Sequence, residues 1–345
     1  MSYPSVDDGS EAIIGFGRAE GFIERNAFQK GVHMEKAKKI WLDGNIVNWE
    51  DAKVHVLCHA LNYGTGIFEG IRVYETPKGA AVFRLKDHIK RLMDGCKIMG
   101  IEPKVNGKLM TAEDIIEAHK VIIRENAKLG FTTDYIKPTV FLSGEEVGLN
   151  PTKVPSSLSI CCVYMGSYLG EDANAGAKLI TSSWHRPDNL CSPAGAKVNG
   201  TYVTSTLAKR EALRQGADEA VMLNSCGHVA ECTGENIFIY RKGVIYTPSI
   251  SESILEGITR DSIIKVARDL GYTVVEKEIS RSELISADEV WMTGTAAEIG
   301  PVTMIDGRVI GDGKVGKVAT EIHKKFIEIT TGKDAKYDAW LDYVN

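Results

Sequence analysis

A lysine in a stretch of small residues is the first feature of this sequence that could carry out chemistry. Lys197 lies in the segment SPAGAKVNGTYVTS, residues 192–205, where alanines and glycines surround it. Small neighbours leave room beside the amine for a bulky group. The plainer interpretation is a surface lysine in a glycine-rich loop, so residues elsewhere in the chain have to decide between the two.

Three further residues have side chains that complement a reactive amine. Tyr202 follows Lys197 by five residues, and Glu231 follows it by 34 at the end of the strand-like segment HVAE. Arg91 lies in the helical segment DHIKRL. Each also has a structural explanation, as a core tyrosine, a solvated strand end or a charge on a helix surface. Their combination is more informative than any one of them.

The combination meets the needs of a lysine that binds pyridoxal phosphate covalently. Such a site requires an acid at the pyridine nitrogen, a donor to the phenolic oxygen, and backbone N–H groups with an arginine at the phosphate. Glu231, Tyr202 and Arg91 supply the three side chains, and a helix start at Ile258–Thr259 supplies the backbone groups. The sequence therefore predicts pyridoxal 5'-phosphate as the cofactor.

Several short segments occur in the order and spacing of one known family. GAKVNGTY, ECTGENIF, EGITRD and TGTAAE resemble segments of the branched-chain amino acid aminotransferases, which are pyridoxal-phosphate enzymes of fold type IV. HALNYGTGIFEGIRVY, residues 59–74, resembles the family's substrate-pocket segment, and FRLKDHIKRL resembles its phosphate-arginine helix. The resemblance runs from about residue 40 to about residue 321. It implies transamination between leucine, isoleucine or valine and 2-oxoglutarate.

The resemblance also implies a role for individual residues. Lys197 would carry the cofactor and move a proton, Glu231 would pair with the pyridine nitrogen, and Tyr202 would bond the phenolic oxygen. The implied phosphate-side residues are Arg91, Ile258, Thr259, Gly294 and Thr295. The implied substrate-binding residues are Tyr63, Phe68, Gly70, Tyr135, Lys137, Tyr168, Thr295 and Ala296. Within that set, Tyr135 and the Thr295–Ala296 turn would receive the α-carboxylate.

Two positions depart from the pattern of the bacterial members. Lys137 stands where they commonly have arginine, and Met165 replaces a common tryptophan near the pocket. Both changes concern the range of substrates and leave the cofactor chemistry unaffected. In this family the loop that matches Val147–Leu149 reaches across from a partner subunit, so a homodimer or higher homo-oligomer is expected.

Other functions on the same fold remain open at this point. A D-amino acid aminotransferase or an (R)-amine transaminase would keep Lys197 and Glu231 and remodel the pocket. An aminodeoxychorismate lyase would release pyruvate without a 2-oxo acid acceptor. A non-catalytic binding protein would have no reason to keep the lysine, tyrosine, glutamate and arginine together. YGTGIFEGIR with GTAAE favours the branched-chain interpretation.

The sequence patterns of the helices and strands that must position these residues predict two domains of mixed α and β structure. We expect an N-terminal extension over residues 1–33 with little order, a small α+β domain over 34–165, a connecting loop over 166–177 and a large cofactor-binding domain over 178–345. The resemblance implies a barrel-like sheet in the large domain. Of the local patterns, IWLDGNIVNW predicts a hairpin around Asp43–Gly44. Thr111 and Asp114 predict a capping box, and Thr259 predicts the N-cap of the helix ITRDSIIKVARDLG.

Composition and charge exclude several other classes of protein. Of the 345 residues 43% are hydrophobic and 25% charged, which is ordinary for a globular protein. The net charge of −5 argues against broad nucleic-acid binding, and no apolar run reaches membrane-spanning length. The seven cysteines form no CxxC pair and the eight histidines show no ligand spacing. We therefore expect a cytoplasmic protein without a metal site.

Overall fold

A computed structural model describes residues 34–166 and 176–345. The predicted extension over residues 1–33, Tyr168 and most of the predicted connecting loop lie outside the described residues. Within the described ranges, no helix combines the length and the apolar character needed to cross a membrane. The same ranges contain no group of three or more histidine, cysteine, aspartate or glutamate residues placed to hold a metal ion.

The described residues form seven α-helices and 20 β-strands. The helices are α1 His59–Tyr63, α2 Leu85–Met99, α3 Ala112–Lys128, α4 Tyr202–Arg214, α5 Ile258–Asp269, α6 Arg281–Ile285 and α7 Lys317–Thr330. The first ten strands are β1 Glu35–Lys36, β2 Lys39–Leu42, β3 Asn45–Asn48, β4 Gly66–Phe68, β5 Ile71–Thr76, β6 Gly79–Phe83, β7 Lys104–Val105, β8 Lys108–Leu109, β9 Tyr135–Leu142 and β10 Ser156–Tyr164. The others are β11 Ala177–Thr181, β12 Glu219–Leu223, β13 Val229–Cys232, β14 Asn236–Arg241, β15 Val244–Pro248, β16 Thr273–Lys277, β17 Glu289–Gly294, β18 Glu298–Ile305, β19 Arg308–Val309 and β20 Leu341–Tyr343.

The first sheet has nine strands, and its main path runs β20-β6-β5-β9-β10-β2-β3. In addition, β1 pairs with β10 and β4 pairs with β9. The hairpin of β2 and β3 turns at Asp43 and Gly44, whose φ angles are 47° and 86°. Two consecutive positive φ angles match the twist of a tight hairpin, so the predicted hairpin is confirmed. The edge strand β20 comes from the C-terminal end of the chain.

The second sheet also has nine strands, on the path β13-β12-β11-β18-β17-β14-β15-β16 with β19 beside β18. The β11/β12, β11/β18 and β15/β16 pairs are parallel, and the others are antiparallel. The sheet curls into a half-barrel. The predicted fold class, with mixed α+β and α/β structure and a barrel-like sheet, is therefore confirmed.

A hydrophobic core joins the two sheets. Phe83 on β6 of the first sheet packs edge-on against Phe326 of α7, with 5.4 Å between ring centres. The same cluster contains Phe238 and Trp291 of the second sheet, whose rings stack at 5.7 Å. All four side chains are nearly or fully buried. This shared core holds the two sheets in a fixed relation, which matters because the functional residues come from both.

The predicted N-cap is confirmed for one helix and wrong for another. Thr111 and Asp114 form the predicted capping box at α3. At α5 the prediction of a Thr259 cap was wrong, because the helix begins at Ile258 and its N-cap is Gly257. Glycine has no side chain to accept from the first-turn N–H groups. The start of α5 therefore keeps backbone donors that a side-chain cap would have used.

Candidate active site

The first sheet holds the Lys197 segment by its backbone. The Phe68 N–H donates to the Lys197 carbonyl at 3.1 Å, and Val198 forms an isolated antiparallel bridge with Ile67. Further along, the Gly200 N–H donates to the Gly64 carbonyl at 3.1 Å. The segment thus lies against β4 of the first sheet, although its own neighbours in sequence belong to the second.

The small residues around Lys197 serve this close packing. Ala194 and Ala196 are buried, and a Cβ on Gly64 would lie only 2.6 Å from the Cα of Gly200. Gly195 is exposed, and an added Cβ there would meet nothing within 4 Å. Close backbone packing against Gly64 therefore explains the glycine at position 200.

The side chain of Lys197 is held by two aromatic residues. Its Nζ donates a hydrogen bond to the Tyr202 hydroxyl at 2.6 Å. It also lies 4.8 Å from the ring centre of Phe68, and the rings of Phe68 and Tyr202 meet edge-on at 4.9 Å. Tyr202 is the first residue of α4, so the helix start fixes the phenol beside the amine.

Glu231 is a buried carboxylate on β13 with three partners. Arg186 Nε lies 2.8 Å from Oε1 as an ion pair, although its N–H is not aligned for a hydrogen bond. Asn236 Nδ2 and the Leu255 N–H donate to Oε2 at 2.8 and 3.1 Å. Burial raises the pKa of Glu231, and the charge of Arg186 together with the Leu255 N–H opposes that effect.

The start of α5 is built onto Glu231 through Asn236. The Asn236 amide donates to Glu231 and also to the Leu255 carbonyl at 2.9 Å. A Cβ on Gly257 would collide with Asn236 Oδ1, so only glycine fits at this N-cap. The helix start with its backbone donors is a site suited to an anion such as a phosphate group.

Arg91 on α2 is anchored by a buried acid. Its Nε and Nη2 donate to the two oxygens of Glu69 at 2.6 and 2.7 Å, and Nη1 donates to the Glu256 carbonyl at 2.7 Å. His88 Nδ1 lies 2.8 Å from Glu69. Burial opposes ionisation of Glu69, but Arg91 and His88 outweigh it and hold its pKa well below the usual range. Two of the five guanidinium N–H groups remain for another acceptor.

One cleft collects all the residues predicted to bind the cofactor. It has an empty volume of about 430 Å³. The predicted residues that line it are Arg91, Lys197, Tyr202, Glu231, Ile258, Thr259, Gly294 and Thr295. Thr293 also lines it, and the Thr293 hydroxyl is buried without a hydrogen-bond partner among the described residues. An amine, a phenol, a buried carboxylate and an anion-binding helix start therefore face one space.

Two of the predicted substrate residues, Phe68 and Lys137, lie beside Lys197. Phe68 contacts Lys197 and also Lys137, whose Nζ lies 4.9 Å from the Phe68 ring centre. Partial burial lowers the pKa of Lys137, and the positive charge of Lys197 adds to this effect. A Cβ on Gly70 would collide with the Tyr135 hydroxyl, so glycine is required there.

Two other predicted substrate residues, Ala296 and Tyr63, are not among the residues that line the cleft. Ala296 lies in the turn after β17, next to Thr295 of the cleft, and its carbonyl accepts from Arg72 at 3.2 Å. Tyr63 lies at the end of α1, where its hydroxyl accepts from the Gly148 N–H at 3.1 Å.

The sequence analysis missed three residues that contact the predicted site residues and fix their side chains. Arg186, Asn236 and Glu69 all hold a predicted residue in place, and all three are buried. Arg186 lies 45 residues before Glu231, so no local pattern connects the two. Asn236 could have been found, because it lies within the segment ECTGENIF that also contains Glu231.

Comparisons with known proteins agree with this geometry. The sequence pattern of the amino-transferase class IV family matches residues 66–305. A branched-chain-amino-acid aminotransferase of Pseudomonas aeruginosa is 43% identical over 306 residues, which cover 88% of this chain and 97% of the relative.

Solved structures extend the similarity to three dimensions. The T.th. branched-chain amino acid aminotransferase complexed with N-(5'-phosphopyridoxyl)-L-glutamate has a TM-score of 0.84 and 45% identity, with 90% of this chain and 100% of that chain covered. The Escherichia coli branched-chain amino acid aminotransferase has a TM-score of 0.83 and 41% identity at the same coverage. This chain is therefore a member of the class IV amino-transferase family and, within it, of the branched-chain-amino-acid aminotransferases.

Proposed function

We propose that this protein transfers the amino group between branched-chain L-amino acids (leucine, isoleucine and valine) and 2-oxoglutarate, with pyridoxal 5'-phosphate as cofactor. The observation that carries the proposal is the convergence of the Lys197 amine, the Tyr202 hydroxyl, the Glu231 carboxylate and the α5 start on one cleft. The family relationship supports the same reaction, since the relatives at 41–45% identity bear this activity in their names.

The residues present fit pyridoxal phosphate. The Thr293 hydroxyl, which has no hydrogen-bond partner within residues 34–166 and 176–345, would contact the phosphate together with the spare N–H groups of Arg91 and the start of α5, which has no side-chain cap. Lys197 would bind the cofactor covalently, and Tyr202 would donate to its phenolic oxygen. The chemistry that this group supplies when bound is an electron sink for the pair left when the substrate Cα–H bond breaks.

Lys197 acts as the acid–base group at the substrate Cα. Its hydrogen bond to Tyr202 and its contact with Phe68 restrict the amine to one side of the cleft. From there Nζ would take the proton from the substrate Cα as a base and return it to the cofactor C4′ as an acid. The hydrogen bond to the Tyr202 hydroxyl fixes the position of Nζ for this proton transfer.

Glu231 keeps a proton on the pyridine nitrogen. A carboxylate that is buried at the floor of the cleft interacts strongly with a positive charge, because the surrounding dielectric is low. Arg186 and the Leu255 N–H favour the ionised form of Glu231 and so preserve its ability to pair. Asn236 fixes the orientation of the carboxylate.

A homodimer is the working unit that we infer. The segment 54–63 and the loop 147–149 expose a group of large apolar side chains, which are Val54, Val56, Leu57, Leu61, Tyr63, Val147 and Leu149. The contact between Tyr63 and the Gly148 backbone joins the two segments into one surface. Contiguous exposed apolar surface of this kind marks an interface between proteins. Light scattering of the purified protein tests this inference, and a monomer would contradict it.

The decisive experiment is amino-donor profiling of the purified protein with 2-oxoglutarate. We expect glutamate to form from leucine, isoleucine and valine, with little turnover of D-alanine or an (R)-amine. Release of pyruvate from aminodeoxychorismate without a 2-oxo acid would instead identify a lyase. Failure of all three branched-chain donors would overturn the proposed function.

A further inference from the structure

The turn that closes the cleft on the substrate side is followed by a residue in an unfavourable backbone conformation. β17 ends at Gly294 and β18 begins at Glu298, which leaves a loop of three residues, 295–297. Glu298 has a φ of 53°, in the left-handed region that glycine adopts without strain. A glutamate there requires an explanation from its side chain.

The Glu298 side chain is held from two directions. The Tyr74 hydroxyl donates to Oε1 at 2.8 Å, and His323 Nε2 on α7 lies 3.4 Å from Oε2. Burial opposes ionisation of Glu298, but His323 and Tyr74 outweigh it and lower its pKa. Burial and the Glu298 charge raise the pKa of Tyr74 well above its usual range. The tyrosine therefore remains the donor and the glutamate the acceptor.

Tyr74 belongs to the first sheet, whereas Glu298 belongs to the second. Arg72 lies two residues before Tyr74 on β5, so both side chains point to the same face of the strand. Arg72 Nη2 donates to the Ala296 carbonyl at 3.2 Å, and Nη1 donates to Asp134 at 2.9 Å. One strand of the first sheet thus holds the 295–297 turn at two points.

We propose that Glu298 is a positioning residue for the substrate α-carboxylate, acting through the hydrogen bond from Tyr74 that fixes the 295–297 turn. The inference rests on the proposed function, in which this turn receives the carboxylate. Backbone N–H groups whose direction is fixed in advance hold a carboxylate in the productive position, and misplacement by about 1 Å can cost roughly a hundredfold in rate. A glycine at position 298 would adopt the same φ without strain, but it could not accept the hydrogen bond from Tyr74.

The test compares ligands with and without a carboxylate in matched variants. Tyr74→Phe removes the hydroxyl that donates to Glu298. Glu298→Gly removes the carboxylate that accepts this hydrogen bond, whereas Glu298→Gln keeps an oxygen that still accepts from Tyr74. The measurements are the Kd for 4-methylvaleric acid, the kcat and KM for leucine, and the half-reaction rate of 3-methylbutylamine, which has no carboxylate. Tyr272→Phe is the control, because its hydroxyl also donates to a glutamate, Glu321 at 2.6 Å, but on the surface of α7.

We expect Tyr74→Phe and Glu298→Gly to raise the Kd for 4-methylvaleric acid and the KM for leucine by about tenfold or more. Cofactor affinity and the amine half-reaction should change by less than about threefold, and Glu298→Gln should retain most of the wild-type binding. An unchanged Kd for the acid in Tyr74→Phe, or equal losses for acid and amine, would overturn the inference.

The outcomes also separate this inference from the proposed function. A wild-type protein that does not transaminate leucine contradicts the proposed function. Normal wild-type transamination with no selective loss of carboxylate binding in the variants contradicts only the role of Glu298. If Glu298→Gly does not fold, the comparison of Tyr74→Phe with Glu298→Gln decides the question, since both substitutions nearly conserve side-chain volume.

Discussion

The Nζ atom of Lys197 lies 2.6 Å from the Tyr202 hydroxyl oxygen, and the same Nζ lies 4.8 Å from the Phe68 ring centre. Tyr202 belongs to the helix that follows the lysine segment, whereas Phe68 belongs to the first sheet. The reactive amine is therefore positioned from both sheets at once, and its environment depends on how the two pack together.

The first prediction concerns Lys197 itself. The purified wild-type protein should be yellow, and borohydride should trap the cofactor on Lys197. Lys197→Ala should lose the trapped link and transamination together, because the substitution removes the amine that Tyr202 holds. Absorption spectra and mass spectrometry of the reduced protein measure the link. Lys178→Ala, on the exposed face of β11, is the control. A wild-type turnover rate in Lys197→Ala would show that the assignment is wrong.

Glu231→Gln should leave the protein folded and slow the removal of the Cα proton by several powers of ten. An amide keeps the size of the side chain and can still accept from Asn236, but it has no charge to hold a proton on the pyridine nitrogen. Exchange of the substrate Cα hydrogen with deuterium measures this step. Glu252→Gln is a matched control, because Glu252 is also buried and accepts from Asn224 at 2.7 Å. Wild-type exchange in Glu231→Gln would exclude the proposed role.

Arg91→Ala should weaken cofactor binding by the loss of charge-assisted contacts worth about 1.5–3 kcal/mol. The same substitution leaves Glu69 buried without its main partner, which should lower the free energy of unfolding by about 3–5 kcal/mol. Adding Glu69→Gln should restore part of the stability and none of the cofactor affinity. Thermal unfolding and cofactor titration separate the two effects. Unchanged cofactor affinity in Arg91→Ala would count against a phosphate contact.

The sequence predicted those parts of the fold that depend on local segments. The α3 capping box and the Asp43–Gly44 hairpin depend on neighbouring residues, and the structure has both. The Thr259 cap was mistaken because Gly257, two residues earlier, is required by the contact with Asn236. The pairing of β20 with β6 joins segments more than 250 residues apart, and no periodicity in either strand identifies its partner.

The buried side chain of His119 should make the folding stability depend on pH. Its Nδ1–H donates to the Ile115 carbonyl at 2.7 Å, and its Nε2 is buried without a partner among the described residues. Burial lowers the pKa of His119 from 6.5 to about 4. Between these values the unfolded chain binds the extra proton and the folded chain does not. The contribution of His119 to folding stability should therefore fall by about 3 kcal/mol as the pH decreases from 6.5 to 4.

His119→Leu should make the stability less sensitive to pH across this window. Urea unfolding at a series of pH values measures the slope, and His55→Gln at the exposed surface serves as the control. Equal slopes in His119→Leu and in the wild type would show that another group causes the acid sensitivity.

The last prediction concerns Lys137, the cation at the edge of the proposed substrate pocket. A branched-chain aminotransferase must accept the apolar side chain of leucine and the carboxylate of glutamate in alternate half-reactions. Lys137 Nζ lies 4.9 Å from the Phe68 ring centre, so a positive charge stands beside the apolar wall. The ammonium group is a point charge on a flexible stem, whereas an arginine would bind the carboxylate through two parallel hydrogen bonds. Lys137→Ala should therefore reduce kcat/KM for glutamate far more than for leucine, and Lys137→Arg should increase kcat/KM for glutamate.

Separate half-reactions with each amino acid provide the measurement, and Lys153→Ala on the exposed loop before β10 is the control. Equal effects on both substrates would show that Lys137 is not the partner of the side-chain carboxylate, because a general disturbance of the pocket does not distinguish a charged side chain from an apolar one.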